Sequence, residues 1–227
     1  VRGDASLSPA SLRLAVAKDG PVLTAVTGTT TITVAFAGAS TNWSASSNVS
    51  WLQVESASGS GPGLFTISVT NPGDVIGAAS ALTGTITVAT PDAPAPSVTL
   101  PVDLTVVAAT SSPFGQVDTP DQDATDVQGA IGITGWALDD IGVAAVTIYR
   151  ECLPFDDPAS CQDVLNHRLV FLGDAAFVSG ARPDVATLFS SYPAAHRAGW
   201  GLMILSPMLP HVSNGLAFGG QGALSLY

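Results

Sequence analysis

The residues of this 227-residue chain best equipped for chemistry are its tryptophans, its clustered aspartates and its two cysteines. Trp43 and Trp51 fall close together, in Thr41-Asn42-Trp43-Ser44-Ala45-Ser46 and Val49-Ser50-Trp51-Leu52-Gln53-Val54. The apolar face of a pyranose packs well on an indole ring, so Trp43 with its neighbour Asn42 is a candidate carbohydrate platform. The competing reading is that a tryptophan at the centre of a small β-sandwich is a core residue. Trp51, which leads into a strand-like segment, takes the core reading, and Trp43 keeps both. Trp136 and Trp200 sit in apolar strand patterns and are expected in a core.

Carboxylates offer a second chemistry. Asp118, Asp121, Asp123 and Asp126 crowd one short segment, and hard cations want several oxygens at close spacing. The segment lacks the glycine and the terminal glutamate of an EF-hand loop, which leaves a solvated acidic linker as the simpler reading. Asp139, Asp140 and Asp174 are candidate Ca²⁺ ligands if they converge at one end of the second half; the alternative is that they cap turns. Ca²⁺ is the one cofactor the sequence suggests, and no other is expected.

Cys152 and Cys161 are separated by eight residues. A metal site would have more Cys or His nearby, and a redox site would read Cys-x-x-Cys. A local disulfide closing Leu153–Ser160 is therefore expected, and it implies an oxidising compartment. Nucleophilic and metal catalysis find little support. His167, His196 and His211 are scattered, and neither His-Glu-x-x-His nor Gly-x-Ser-x-Gly occurs. Ser60 lies between glycines in a turn, and Glu55 and Glu151 are the only glutamates, so a glycosidase pair would have to draw on aspartates. The chain is expected not to be an enzyme. Asn48-Val49-Ser50 fits the N-glycosylation sequon, which makes Asn48 a candidate acceptor; Asn42-Trp43-Ser44 fits it less well because of its Trp.

Composition narrows the partners. Charged residues are 11% of the chain, well under the ~25% usual for soluble proteins, so Ser, Thr, Gly, Asn and Gln must cover much of the surface. Net charge is −11, with only seven Lys plus Arg. No basic stripe exists to neutralise phosphates, which argues against nucleic acid and against an anionic membrane surface. No apolar run approaches the ~20 residues that span a bilayer. The chain begins at Val1 without a charged-then-apolar leader and reads as a mature or trimmed product whose export signal is gone.

The elements that must position these residues are strands. In the first half, Ser11–Ala17, Thr30–Phe36, Trp43–Ser46, Trp51–Glu55, Leu64–Val69, Leu82–Val88 and Ser97–Val107 are short and often alternate. Turn clusters separate them: Lys18-Asp19-Gly20-Pro21, Gly59–Gly63, Asn71-Pro72-Gly73-Asp74 and Pro91–Pro96. Pro101 inside the last run predicts an edge position or a bulge. Ala108–Pro113 reads as a linker, placing a first domain at 1–109 and a second at 110–227. The second half repeats the β character with longer loops: strands at Phe114–Val117, Gly129–Leu138, Val143–Arg150, Leu169–Ala176, Trp200–Leu205 and Ala223–Tyr227. One short helix follows Pro183, over Asp184–Phe189. The expected class is all-β, two tandem immunoglobulin-like sandwiches, the second with an incomplete last strand.

Two resemblances sharpen this. The opening Leu7-Ser8-Pro9-Ala10-Ser11-Leu12, the central Trp43-Ser44-Ala45-Ser46 and Ser50-Trp51-Leu52, and the Gly59–Gly63 turn carry the first. With Leu82–Val88 and Pro101–Val106 they resemble the BACON-type modules of bacterial secreted proteins, over about residues 6–107. That resemblance implies an immunoglobulin-type sandwich found beside carbohydrate-active and surface proteins, with carbohydrate binding inferred for some members and a spacer role for others. From about residue 113 onward, Gly135–Val143, Leu172-Gly173-Asp174-Ala175, Gly180–Val185 and Arg197-Ala198-Gly199-Trp200-Gly201 are similar to an Ig-like module of large bacterial exported proteins. In that family a further strand follows the one at Ala223–Tyr227, whereas here the chain stops at Tyr227.

The expected function is a non-catalytic secreted or cell-surface protein, structural or adhesive, with copies of itself or other surface proteins as partners. A sandwich short of a strand exposes unpaired backbone, which a neighbouring copy could fill from Val1–Ala17 or Ser97–Ala109 to build an extracellular filament; a fragment of a longer protein would end the same way. The alternative function is a carbohydrate-binding accessory module with a polysaccharide partner.

Overall fold

The structure, a computed structural model, describes residues 3–39, 41–107, 111–125, 127–206 and 209. Apart from one helical turn and a half, α1 (Pro183–Leu188), and three short 3₁₀ turns, its regular structure is all strand. The chain divides into two compact units. The first comprises Val1–Pro113 together with Leu138–Ala144 and Thr187–His196, and the second comprises Phe114–Ala137, Ala145–Ala186 and Arg197–Tyr227.

In the first unit the strands are β1 (Ala5–Ser8), β2 (Leu12–Asp19), β3 (Val22–Val26), β4 (Thr30–Phe36), β5 (Asn42–Ser47), β6 (Leu52–Glu55), β7 (Ser58–Ser60), β8 (Gly63–Val69), β9 (Ala81–Ala89) and β10 (Ser97–Val107). They form a four-stranded sheet, β1-β4-β8-β6, and a six-stranded sheet, β3-β2-β10-β9-β5-β7. Alternation sets which side chains face inward. In β4, Ile32 and Val34 are fully buried while Thr31, Thr33 and Ala35 are exposed. The two sheets deliver Leu12, Leu14, Val16, Ile32, Val34, Phe65, Ile67, Ile86 and Leu100 to one core. The outer face of β2 is covered as well: Ala15 and Ala17 pack against Ile141, from the Leu138–Ala144 loop.

β10 is the keystone of the larger sheet. It runs antiparallel to β9 (Leu100↔Ile86) and parallel to β2 (Leu104↔Leu14). Pro101 lies in a strand interior to the sheet, at a position that is locally an edge because no strand pairs with it on the β2 side. Its partner across β9 is Thr85, whose N–H and C=O bond Asn48 on the other side (2.8 and 3.1 Å). The ladder to β2 starts only at Val102, so no strand partner requires the missing N–H of Pro101. Of the segments expected to be exchanged with a neighbour, β2 and β10 are committed, since they pair with each other inside the sheet. β1, also within Val1–Ala17, is an edge strand of the smaller sheet, and β3, which the sequence reading did not anticipate, is an edge of the larger one.

The second unit contains β11 (Phe114–Thr119), β12 (Ala130–Leu138), β13 (Thr147–Glu151), β14 (Cys161–Val164), β15 (His167–Asp174), β16 (Ala176–Phe177) and β17 (Gly199–Leu205). A four-stranded sheet, β11-β12-β17-β16, faces a three-stranded one, β13-β15-β14. Ile131, Ile133, Ile148, Trp200 and Ile204 form the buried cluster. The expected strand at Val143 begins only at Thr147, because Gly142 turns the chain with φ +110° and Leu138–Ala144 belongs to the first unit. Ala223–Tyr227, expected as the unfinished last strand, lies outside the described residues.

Candidate functional site

Trp43 is a core residue, which corrects the carbohydrate-platform expectation. β5 alternates, sending Trp43 and Ala45 inward and leaving Asn42 and Ser44 exposed. The indole is 3% exposed, so neither face is free to stack on a sugar. Its Nε1 donates to the carbonyl of Gly61 at 2.9 Å, and its ring tilts against Phe65 with centroids 5.9 Å apart. The glycine-rich turn is the cover of this ring. A Cβ on Gly59 would stand 2.6 Å from the indole Cζ2, and one on Gly63 3.0 Å from it. Asn42 remains on the surface, opposite Ser60 of β7. Trp51 is buried too, at 4%, with its ring 3.0 Å from where a Cβ on Gly84 would be.

The three metal candidates each accept from a different partner. Asp139 and Asp140 belong to the first unit and Asp174 to the second. Asp139 Oδ2 accepts from the N–H of Ile141 (3.1 Å), and Asp140 Oδ2 accepts from the N–H of Ser111 (2.8 Å). Asp174, at the end of β15, accepts from the hydroxyl of its cross-strand partner Thr147 (3.1 Å). In the acidic segment Asp118 pairs with Arg182, Asp123 accepts from Gln122, and Asp126 lies outside the described residues.

Cys152 and Cys161 form the expected disulfide, with Cα atoms 5.8 Å apart. Inside its loop lies a feature that sequence reasoning missed. Arg150, 8% exposed, sends Nη1 and Nη2 to the two oxygens of Asp156 at 2.6 and 2.7 Å, and Asp156 also accepts from the N–H of Leu153. The guanidinium holds the Asp156 carboxyl below the usual carboxylate range, while burial acts in the opposite direction. An arginine ending a strand just before a small cysteine-closed loop with a central aspartate was the available signal. Both sulfurs and the Asp156 carboxylate lie within 4.8 Å of one another, but sulfurs bonded to each other are not metal ligands.

A second arginine fastens an edge. Arg182 bonds Asp118 of β11 through Nη1, and holds Asp184 through Nε and Nη2 at 3.0 and 2.7 Å. Asp184 is pulled down to about 2, chiefly by its hydrogen bonds from Arg182.

A cleft of about 230 Å³ in the second unit is lined by Gly115–Val117, Trp136, Ala137, Val146 and Trp200. Trp136 is half-buried, not fully in the core, and meets Phe114 edge-on at 5.8 Å. Gly135 must lack a side chain here, because a Cβ would stand 2.2 Å from the Gln116 carbonyl oxygen and 2.5 Å from the Trp200 ring. The lining is apolar, with Trp200 Nε1 buried and unpartnered. Glu55 and His196 belong to the first unit, Glu151 and His167 to the second, and His211 lies outside the described residues. Asn48 is exposed, with its side-chain carbonyl accepting from the N–H of Thr85. No helix among the described residues is long and apolar enough to cross a membrane.

No described protein family and no curated protein sequence matches the chain. Among solved structures it is similar to a Bacteroides ovatus GH5 xyloglucanase in complex with a XXXG heptasaccharide, at 20% identity and TM-score 0.35, over 54% of this chain and 23% of that one. It is also similar to domains 1–6 of the surface layer protein SbsC, at 13% identity and TM-score 0.35, over 77% and 22%. A third likeness is to the periplasmic chaperone SfaE, at 8% identity and TM-score 0.31, over 75% and 84%. The match spans less than a quarter of the first two proteins' chains. The likeness is that of a distant all-β fold.

Proposed function

We propose that this chain is a non-catalytic structural or adhesive part of an exported, cell-surface protein, and that its copies join by strand addition. The first unit then serves as a BACON-type module and the second as a bacterial Ig-like one. One observation carries the reading: each unit presents an edge strand with large apolar side chains in solvent. β3 exposes Val22 (62%) and Val26 (40%), and β11 exposes Phe114 (37%) and Val117 (53%). Edge strands are ordinarily blunted by lysine, proline or bulges because their free N–H and C=O groups template pairing. β11 contains neither lysine nor proline, and its one charge, Asp118, is neutralised by Arg182. Pairing β3 of one copy with β11 of the next is heterologous, and a heterologous contact that does not close yields an open chain of subunits. The Cys152–Cys161 disulfide supports an oxidising, extracellular setting.

Sedimentation velocity of the purified chain across a hundredfold concentration range tests this. The expected result is concentration-dependent growth that Val117→Lys abolishes; a monomer at every concentration contradicts it. The carbohydrate reading keeps one foothold, the half-buried Trp136 at the cleft of the second unit. It requires that Trp136→Ala, and not Asn42→Ala, remove retention on a polysaccharide column.

A further inference from the structure

The loop Leu138–Ala144 is fastened to the first unit with unusual thoroughness. Ile141 packs on Ala15 and Ala17, and its carbonyl accepts from the Thr27 hydroxyl at 2.6 Å. That hydroxyl oxygen in turn accepts from the N–H of Ala15 at 2.8 Å. The polar groups of Asp139 and Asp140 are half accounted for, since one oxygen of each takes a backbone N–H. The other oxygen of each is not. Oδ1 of Asp139 and Oδ1 of Asp140 are both shut off from solvent and have no hydrogen-bond donor among the described residues. Asp139 as a whole is 7% exposed, and neither residue belongs to an ion pair among the described residues.

Buried carboxylate oxygens are ordinarily paired, hydrogen-bonded or bound to metal, because losing water without a substitute is costly. Two such oxygens on consecutive residues of one pinned loop lack the first two solutions. We propose that Asp139 and Asp140 bind a divalent hard cation, Ca²⁺, through these two oxygens. An all-oxygen set argues against the softer metals, which want imidazole or thiolate. Between the hard cations, Ca²⁺ accepts irregular sets of six to eight oxygens, whereas Mg²⁺ demands near-ideal octahedral geometry. Water and backbone carbonyls would complete the set. The chain's net charge of −11 favours any cation at such a point. Asp174, whose Oδ1 accepts from the Thr147 hydroxyl, is not one of the two proposed ligands.

Calorimetric titration of chelator-treated protein with CaCl₂ is the direct test. Two carboxylates in an extracellular-type loop should give a Kd of about 0.1–1 mM. At ten times that concentration the melting temperature of the first unit should rise by about 5 °C, with MgCl₂ giving under about 1 °C. Asp140→Asn should weaken binding at least about tenfold, as should Asp139→Asn, while Asp174→Asn should leave it unchanged. Asp139→Asn keeps an oxygen to accept from Ile141, but if it fails to fold, the wild-type titration and Asp140→Asn decide. No saturable Ca²⁺ binding by the wild type would overturn the proposal, as would undiminished binding by Asp140→Asn or loss of binding by Asp174→Asn. The first of these outcomes would mean that ordered water alone satisfies the two oxygens.

Discussion

Replacing Gly59 by alanine tests whether the glycine-rich turn exists to cover Trp43. Gly59 has no positive φ, so the substitution meets no backbone strain, and its whole cost is steric. The new methyl would sit 2.6 Å from Cζ2 and 2.7 Å from Cε2 of an indole that is itself held by its Nε1 bond to Gly61. A ring fixed by a hydrogen bond and by Phe65 cannot swing aside cheaply, so overpacking of about 1–3 kcal/mol is expected. Trp43→Ala removes a 3%-exposed indole and its hydrogen bond, at about 4 kcal/mol. The two costs should not add. With the indole gone, the methyl enters the space it vacated, and the Gly59→Ala penalty should fall to within about 0.5 kcal/mol of zero. Urea denaturation followed by far-UV circular dichroism, on the wild type, both single variants and the double variant, measures the coupling. A Gly59→Ala penalty that is the same with and without Trp43 would refute the reasoning.

Three further outcomes follow from the second unit and its loops. Asp156→Ala leaves Arg150 buried and unpaired, since the two side chains are only 10% and 9% exposed, and should destabilise by about 3 kcal/mol at pH 7. Because Asp156 titrates lower folded than unfolded, its contribution is complete above its unfolded pKa, near 3.8, and is lost as pH falls through the folded value. The gap between wild type and variant should therefore close in acid, as denaturation at pH 7, 4 and 2 would show. Reducing Cys152–Cys161, nine positions apart, should cost about 2.5 kcal/mol by loop-closure entropy, read as a lowered unfolding midpoint in dithiothreitol. Arg182→Ala frees Asp118 and should speed hydrogen exchange across Phe114–Thr119 while leaving β17 protected.

What was legible in the sequence is what local pattern dictates. Thr30–Phe36 and Ser97–Val107 are strands with the expected bounds, because β-branched alternation between turn residues leaves little choice. The helix after Pro183 and the Cys152–Cys161 bridge follow from equally local signals. β1, β3, β7, β14 and β16 did not show, being two to five residues long and held by their neighbours rather than by their own pattern.

The candidate site was harder, since burial is decided by the partner strand and not by the residue. Trp43 offered a platform by type, yet Gly59, Gly61 and Gly63 close over it from a turn sixteen or more residues away. The three aspartates of the second half looked alike, but the packing of Ile141 on β2 sequesters Asp139 while Asp174 stays on a strand end. Pro101 was placed at an edge by rule, and the register shows how a strand interior to the sheet provides one, since β2 joins β10 only from Val102.

The central claim is that β3 of one copy pairs with β11 of another, and disulfide trapping tests it most directly. Val22→Cys and Val117→Cys proteins are mixed under mild oxidation; both positions are exposed, at 62% and 53%. The account predicts rapid formation of the mixed dimer, faster than either self-pair, and its suppression when the Val117→Cys protein also carries Phe114→Lys. Equal, slow cross-linking of all combinations would contradict it.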